Sequence, residues 1–197
     1  MYSNGNESTQ SENIEKLISY CDHLSAESID SLKELFNSEI QSLVSPCSDH
    51  RIGAPYILVP HVSIRLGPKK FIVIDNEWDD TPGEAIDFYL LRASITDRPK
   101  GLQVTEYKDC WSYKADHMSL SIGVKDGIQR LAVLEYSCVG DTEKVRYDAA
   151  VHIELQSGKQ ILLEREESIL GFINIATDPE VIATDIKGLR ERFAFPD

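Results

Sequence analysis

Long apolar runs are missing from this sequence. No stretch approaches the roughly 20 residues that span a bilayer. The opening residues, MYSNGNESTQSEN, hold neither the basic patch nor the apolar segment of a secretory leader. These absences predict a cytoplasmic protein with no membrane partner. Cysteine is sparse as well. Cys21, Cys47, Cys110 and Cys138 lie far apart and form no C-x-x-C pair, which fits reduced thiols and not a disulfide framework. Cys47, Asp49 and His50 fall together, but no second Cys/His pair stands near enough to complete a tetrahedral zinc site. Cys110, in YKDCW, has only Lys108 close by to activate it.

Basic clusters are also lacking. The chain has 20 Lys and Arg against 33 Asp and Glu, a net charge of −13. Nucleic acids and anionic membranes are held by clustered cations, so no direct nucleic-acid partner is expected. The acidity is uneven. Residues 1–50 hold nine acids against Lys16 and Lys33, and residues 72–97 hold seven against Arg92. Two acidic blocks of this kind steer a basic partner towards the chain at long range.

Catalytic templates complete the absences. There is no G-x-S-x-G elbow, no G-x-x-x-x-G-K-[ST] loop, no G-x-G-x-x-G and no H-E-x-x-H. No catalytic residue and no cofactor is assigned on this basis. The histidines read as structural. His152 is expected on the outer face of its strand, opposite Val151 and Ile153, and His61 and His117 sit at strand or turn positions.

What is present sorts by period. After a polar tail over residues 1–13, Ile14, Leu17, Ile18 and Cys21 make one helical stripe, which puts Cys21 and His23 on different sides. Ser25 is a good N-cap for a second helix, with Glu27 near the positive end of its dipole. Its stripe reads Ile29, Leu32, Leu35, Phe36, Ile40, Leu43 and Val44, and Ser45-Pro46 ends it. A helical hairpin over residues 14–45 is predicted.

From Pro55 the period becomes 2. HVSIRL and FIVID flank the turn GPKK, and AIDFYLLRASI follows as a long strand. LQVTEY comes next. MSLSIGV and IQRLAVLEYS flank Lys125-Asp126-Gly127, a hairpin signal, and DAAVHIEL and KQILLE flank Gln156-Ser157-Gly158. GFINIA reads as the last strand. Asp178, Pro179 and Glu180 then start a closing helix, with FAFPD docked back on the domain.

The fold class expected is α+β. The N-terminal helical hairpin leads into a curved, mainly antiparallel sheet or partial barrel of about eight strands, closed by a C-terminal helix. The β part spans residues 55–197, or the whole forms one integrated domain over residues 14–197. A chain of 197 residues buries a sizeable core without disulfides or metal.

The richest stretch is FIVIDNEWDDTPGEAID. An extended backbone there puts Asp75, Glu77 and Asp79 on one face, oxygen ligands of the type hard cations take. A Ca²⁺-loop pattern fails, because Asp80 stands where glycine is needed and Ile86 where glutamate is needed. Trp78, Pro82 and Gly83 alternatively mark an acidic solvent loop of about eight residues. Within it Trp78 is either a lid folded on the core or an exposed anchor.

Together these features predict a non-enzymatic acidic binding protein of inhibitor or immunity type, occluding a basic or nucleic-acid-binding protein. Its contact residues would be Asp75, Glu77, Trp78, Asp79, Asp80 and Glu84, with Leu32 and Phe36 on the second helix. One alternative is a metal-dependent hydrolase on Asp75, Glu77 and Asp79. Another is an assembly subunit, or homo-oligomer, packing through a helix over residues 26–44.

Overall fold

The computed structural model describes residues 17–49, 53–81, 86–107, 110–113 and 118–196, and the side chains of 106–107, 110–111, 113 and 121–124 are not described. In chain order the elements are β1 (Ile18–Asp22), α1 (Ala26–Phe36), β2 (Glu39–Ser45), β3 (Ile57–Val59), β4 (His61–Gly67), β5 (Lys70–Asp80) and β6 (Asp87–Thr96). There follow β7 (Val104–Tyr107), β8 (Cys110–Tyr113), β9 (Met118–Val139), β10 (Glu143–Leu155), β11 (Gln160–Arg165), β12 (Ile173–Ala176), α2 (Pro179–Asp185) and β13 (Arg190–Phe195). Eleven strands form one sheet in the order β3-β12-β11-β10-β9-β2-β4-β5-β6, with β1 beside β10 and β13 beside β9, while β7 and β8 pair separately. The sheet is open, since β3 and β6 are its ends, and no partial barrel forms. Among the described residues no helix is long and apolar enough to cross a membrane.

The α+β expectation is therefore corrected to a predominantly antiparallel sheet carrying, among the described residues, two short helices. The helical hairpin does not exist. Residues 18–22 form a strand parallel to β10, from Ile18 opposite Glu143 to Asp22 opposite Tyr147. Ile18 and Tyr20 suit a pleated edge, and so short a helical stripe does not sustain an isolated helix. Residues 14–16 of that predicted helix lie outside the described residues.

The second helix begins as its capping predicts, with the Ser25 hydroxyl accepting from Ser28 N, but it ends at Phe36. Ile40, Leu43 and Val44 belong to β2, which lies between β9 and β4. A central strand buried on both faces shows no alternation, so its apolar residues extended the helical stripe by coincidence.

The hairpin expected at Lys125-Asp126-Gly127 is likewise absent. β9 runs through it unbroken, pairing Ile40 with Asp126 and Glu39 with Gly127. The signal marks a bend and a close approach instead. Lys125 has a φ of 30°. A Cβ on Gly127 would stand 2.7 Å from the Gln156 side-chain amide and would displace it, and Gln156 N donates to Gly127 O at 2.8 Å. That second turn, at Gln156-Ser157-Gly158, is where the sequence puts it. At the C-terminus the Asp178 side chain accepts from Glu180 N and Val181 N, with Pro179 in the first turn. The helix is short, however, and the chain closes with β13 along β9. His152 is buried, paired with Gln160 at 3.2 Å, and not on an outer face.

The sheet bends so that both its halves fill one core. Ile40, Ile64, Ile72 and Leu91 pack there with Leu131, Val133, Ile153 and Leu163, and α1 adds Leu32 and Leu35. A smaller cluster of Ala132, Leu134 and Leu162 meets Ile182 of α2, and a third gathers Tyr89, Val145, Tyr147 and Ala149. The Ser28 hydroxyl of α1 accepts from Ala93 N at 3.1 Å, which occupies part of the outer edge of β6. Two buried carboxylates tie the chain ends to the ladder. Asp148 accepts from Arg192 Nε and Nη2 at 2.6 Å each and from Leu24 N at 2.7 Å. Glu135, its cross-strand neighbour, meets His23 Nε2 at 2.8 Å and Arg190 Nη2 at 3.1 Å.

Candidate functional site

Through Asp80 the acidic stretch is strand and not loop, and residues 82–85 lie outside the described residues. β5 and β6 pair from Phe71 opposite Thr96 out to Asp80 opposite Asp87. Along β5 the character reverses: Phe71 to Ile74 are buried, whereas Glu77, Asp79 and Asp80 are exposed. Asp75 stands between the two regimes, its carboxylate accepting from Lys100 Nζ at 2.7 Å. Glu84 lies outside the described residues. Trp78 is half-buried and packs on the Tyr89 and Tyr147 cluster, with its Nε1 buried and without a hydrogen-bond partner among the described residues.

Asp75, Glu77 and Asp79 do alternate along the strand, neighbours in this series about 7 Å apart and the outer two about 13 Å apart by strand geometry. Among the described residues no three His, Cys, Asp or Glu side chains come together in a metal-holding group. Leu32 is fully buried in its own core, and Phe36 packs on Phe195 with ring centroids 5.9 Å apart. The helix over residues 26–44 that was to present them outward stops at Phe36. Cys21 and His23, expected on different sides of a helix, lie side by side at the end of β1, with Sγ 3.6 Å from Nε2.

At the acidic end of β5–β6 the sheet opens into a cavity of about 460 Å³, a volume suited to a side chain or small ligand. Tyr89, Tyr136, Tyr147 and Arg165 line it, and Asp87 and Glu167 add two carboxylates. Arg165 is 3 % exposed, with its guanidinium 4.5 Å from the Tyr136 ring, 5.0 Å from Tyr147 and 5.5 Å from Tyr89. Two hydrogen bonds and one longer ion contact hold it. Nε donates to the Tyr147 hydroxyl at 2.8 Å, Nη2 donates to Glu167 at 2.9 Å, and Nη1 lies 3.8 Å from Glu164. A buried guanidinium is tolerable here because rings and carboxylates together replace its water.

Burial, followed by the nearby charges of Asp87 and Glu167, raises the pKa of Tyr89, and Arg165 only partly offsets this. Burial likewise raises Tyr147 and Tyr136, so all three phenols are neutral at physiological pH. On the neighbouring face burial pushes Glu164 up to about 7, against the opposing pull of Arg165.

The loop from Glu166 to Phe172 completes this end of the molecule. A Cβ on Gly171 would lie 2.6 Å from the Asn76 carbonyl oxygen, and Gly171 has a φ of +65°, so the loop backbone lies directly on β5. Asn76 Nδ2 donates to Phe172 O at 2.9 Å and fixes it. Its tip exposes Ile169 (72 %) and Leu170 (64 %). Reading the sequence found the acids of this end but missed Tyr89, Tyr136, Tyr147, Arg165, Ile169 and Leu170. The apolar pair between Ser168 and Gly171, inside an otherwise polar turn, was the available signal.

No protein-family model, curated protein or solved structure matches this chain. Its function has to be read from the geometry of this end of the sheet.

Proposed function

We propose that this chain is a non-catalytic binding protein that covers a basic surface on another protein, in the manner of an inhibitor. One observation carries the reading. Gly171, next to the exposed Ile169–Leu170 pair, lies against Asn76 and Glu77 of β5, so exposed apolar area stands beside the exposed acids of that strand. An apolar centre with a charged rim is the anatomy of a protein interface. The carboxylates steer a cationic partner and set its orientation, and the apolar pair supplies area removed from water.

The test uses hexalysine as a basic probe, titrated by calorimetry at about 20 mM and about 200 mM salt. Asp79→Asn with Asp87→Asn is compared with a control of equal charge, Asp30→Asn with Glu180→Gln, both exposed and placed on the helices. Loss of binding in the first double variant only, with the wild type weakening in salt, is expected. Equal loss in both would reduce the effect to net charge and remove the site.

A further inference from the structure

We infer that Cys21 is a modification site, where the thiol forms a mixed disulfide with a small anionic disulfide from solution. The sequence separates the parts of this site and the sheet joins them. Cys21 on β1 stands directly opposite Arg146 on β10, and Ser19 stands opposite Lys144. Paired residues share a face, so Cys21, Arg146 and Lys144 lie on one side of the sheet. Cys21 is exposed, and its Sγ lies 3.8 Å from Arg146 Nη2, 3.7 Å from His23 Nδ1 and 3.6 Å from His23 Nε2. His23 Nε2 meets the buried Glu135 carboxylate at 2.8 Å. The carboxylate accepts, so Nε2 carries the N–H and Nδ1 is the basic nitrogen. A thiol beside an imidazole that a carboxylate orients is the arrangement of an activated nucleophile.

The charge pattern selects the reactant. Arg92, Arg130, Arg165, Arg190 and Arg192 each meet a carboxylate. Among the described residues neither Arg146 nor Lys144 does. Two cations without carboxylates, beside an exposed thiol in a chain of net charge −13, make a place for an anionic substituent. Cys47 is exposed too, but among the described residues it contacts no imidazole or guanidinium. In the exchange His23 Nδ1 takes the Cys21 proton, Sγ attacks one sulfur of the disulfide, and a new S–S bond forms as the old one breaks. The departing sulfur keeps the electron pair of the broken bond and recovers the proton from His23. Cys21 is oxidised, the disulfide is reduced, and the products are one mixed disulfide and one thiol.

The reduced full chain is treated with hydroxyethyl disulfide, oxidised glutathione or cystamine at about 150 mM salt, where distant charges are screened. Samples are quenched in acid, and mixed disulfides at Cys21 and Cys47 are followed by peptide mass spectrometry. With the neutral reagent, Cys21 should react about tenfold faster than Cys47. With mercaptoethanol as the reference thiol, Cys21 should favour anionic oxidised glutathione over cationic cystamine, and Arg146→Gln should narrow that preference about threefold. His23→Gln keeps a donor for Glu135 and removes the base; it should slow Cys21 about fivefold with all three reagents and leave Cys47 unchanged. Its melting temperature is checked first. A Cys21 rate within about twofold of Cys47 overturns the site, as does a faster rate that neither variant alters. A preference for cystamine overturns the anionic reactant. Should His23→Gln fail to fold, Arg146→Gln decides alone.

Discussion

Two sets of carboxylates in this protein share a charge and almost nothing else. Asp148 and Glu135 are buried in the middle of β9–β10, each held by an arginine and a further donor, and they fasten both ends of the chain to the sheet. Glu77, Asp79 and Asp87 are exposed at the outer end of β5–β6, around a cavity and an apolar loop tip. The first set is structural, because a buried charge left without its partner is strongly destabilising. The second is exposed and is the set that the proposed partner would meet. A net charge of −13 does not distinguish them; burial and pairing do. Glu164 lies between the two, mostly buried and with its pKa near 7.

The comparison breaks most visibly at Asp148. Asp148→Ala leaves Arg192 and Leu24 N unpaired, and a loss of about 3–5 kcal/mol is expected in urea unfolding. A loss below about 1 kcal/mol would place Asp148 with the surface acids.

Glu164 gives an intermediate effect with a defined sign. Its folded pKa of about 7 lies above its ordinary value of 4.5, so the folded form holds its proton more tightly than the unfolded chain does. That contribution is fully present below about pH 4.5 and is lost as the pH rises through about 7. Unfolding free energies of the wild type measured in urea should fall across this window by about 1–3 kcal/mol, and Glu164→Gln should flatten the slope. An unchanged slope in that variant would assign the effect to another group.

The smallest effect has the opposite direction. Asp87→Asn relieves the like-charge opposition with Asp80, and a gain of about 0.2–1 kcal/mol is expected. In thermal melts this is a rise of about 1–3 °C, accompanied by weaker binding of hexalysine. A fall in melting temperature would mean that Asp87 supports the fold and belongs with the buried set.

Much of the sheet was legible in the sequence and little of its arrangement. Turn chemistry announced the β4–β5 and β10–β11 hairpins, and the caps at Ser25 and Asp178 located the starts of both helices. Local signals failed where tertiary contacts overrode them. Ile40, Leu43 and Val44 extended a helical stripe because a strand buried on both faces has no period of its own. Lys125-Asp126-Gly127 imitates a turn, but in the sheet it is a bend held by β2 and by Gln156. For the site, the acids of β5 could be read from their charge, and Trp78 from its setting. Tyr89, Tyr136, Tyr147 and Arg165 come from four strands, β6, β9, β10 and β11, and meet only once the sheet has formed. No spacing in the sequence encodes such a convergence.

The most direct test of the account is the affinity of hexalysine for two double variants of equal charge, measured side by side with the wild type. Asp79→Asn with Asp87→Asn should weaken binding about tenfold, while Asp30→Asn with Glu180→Gln should leave it within about twofold. Equal affinities for the two variants would contradict a localised site and leave the acidity of this chain as a property of its whole surface.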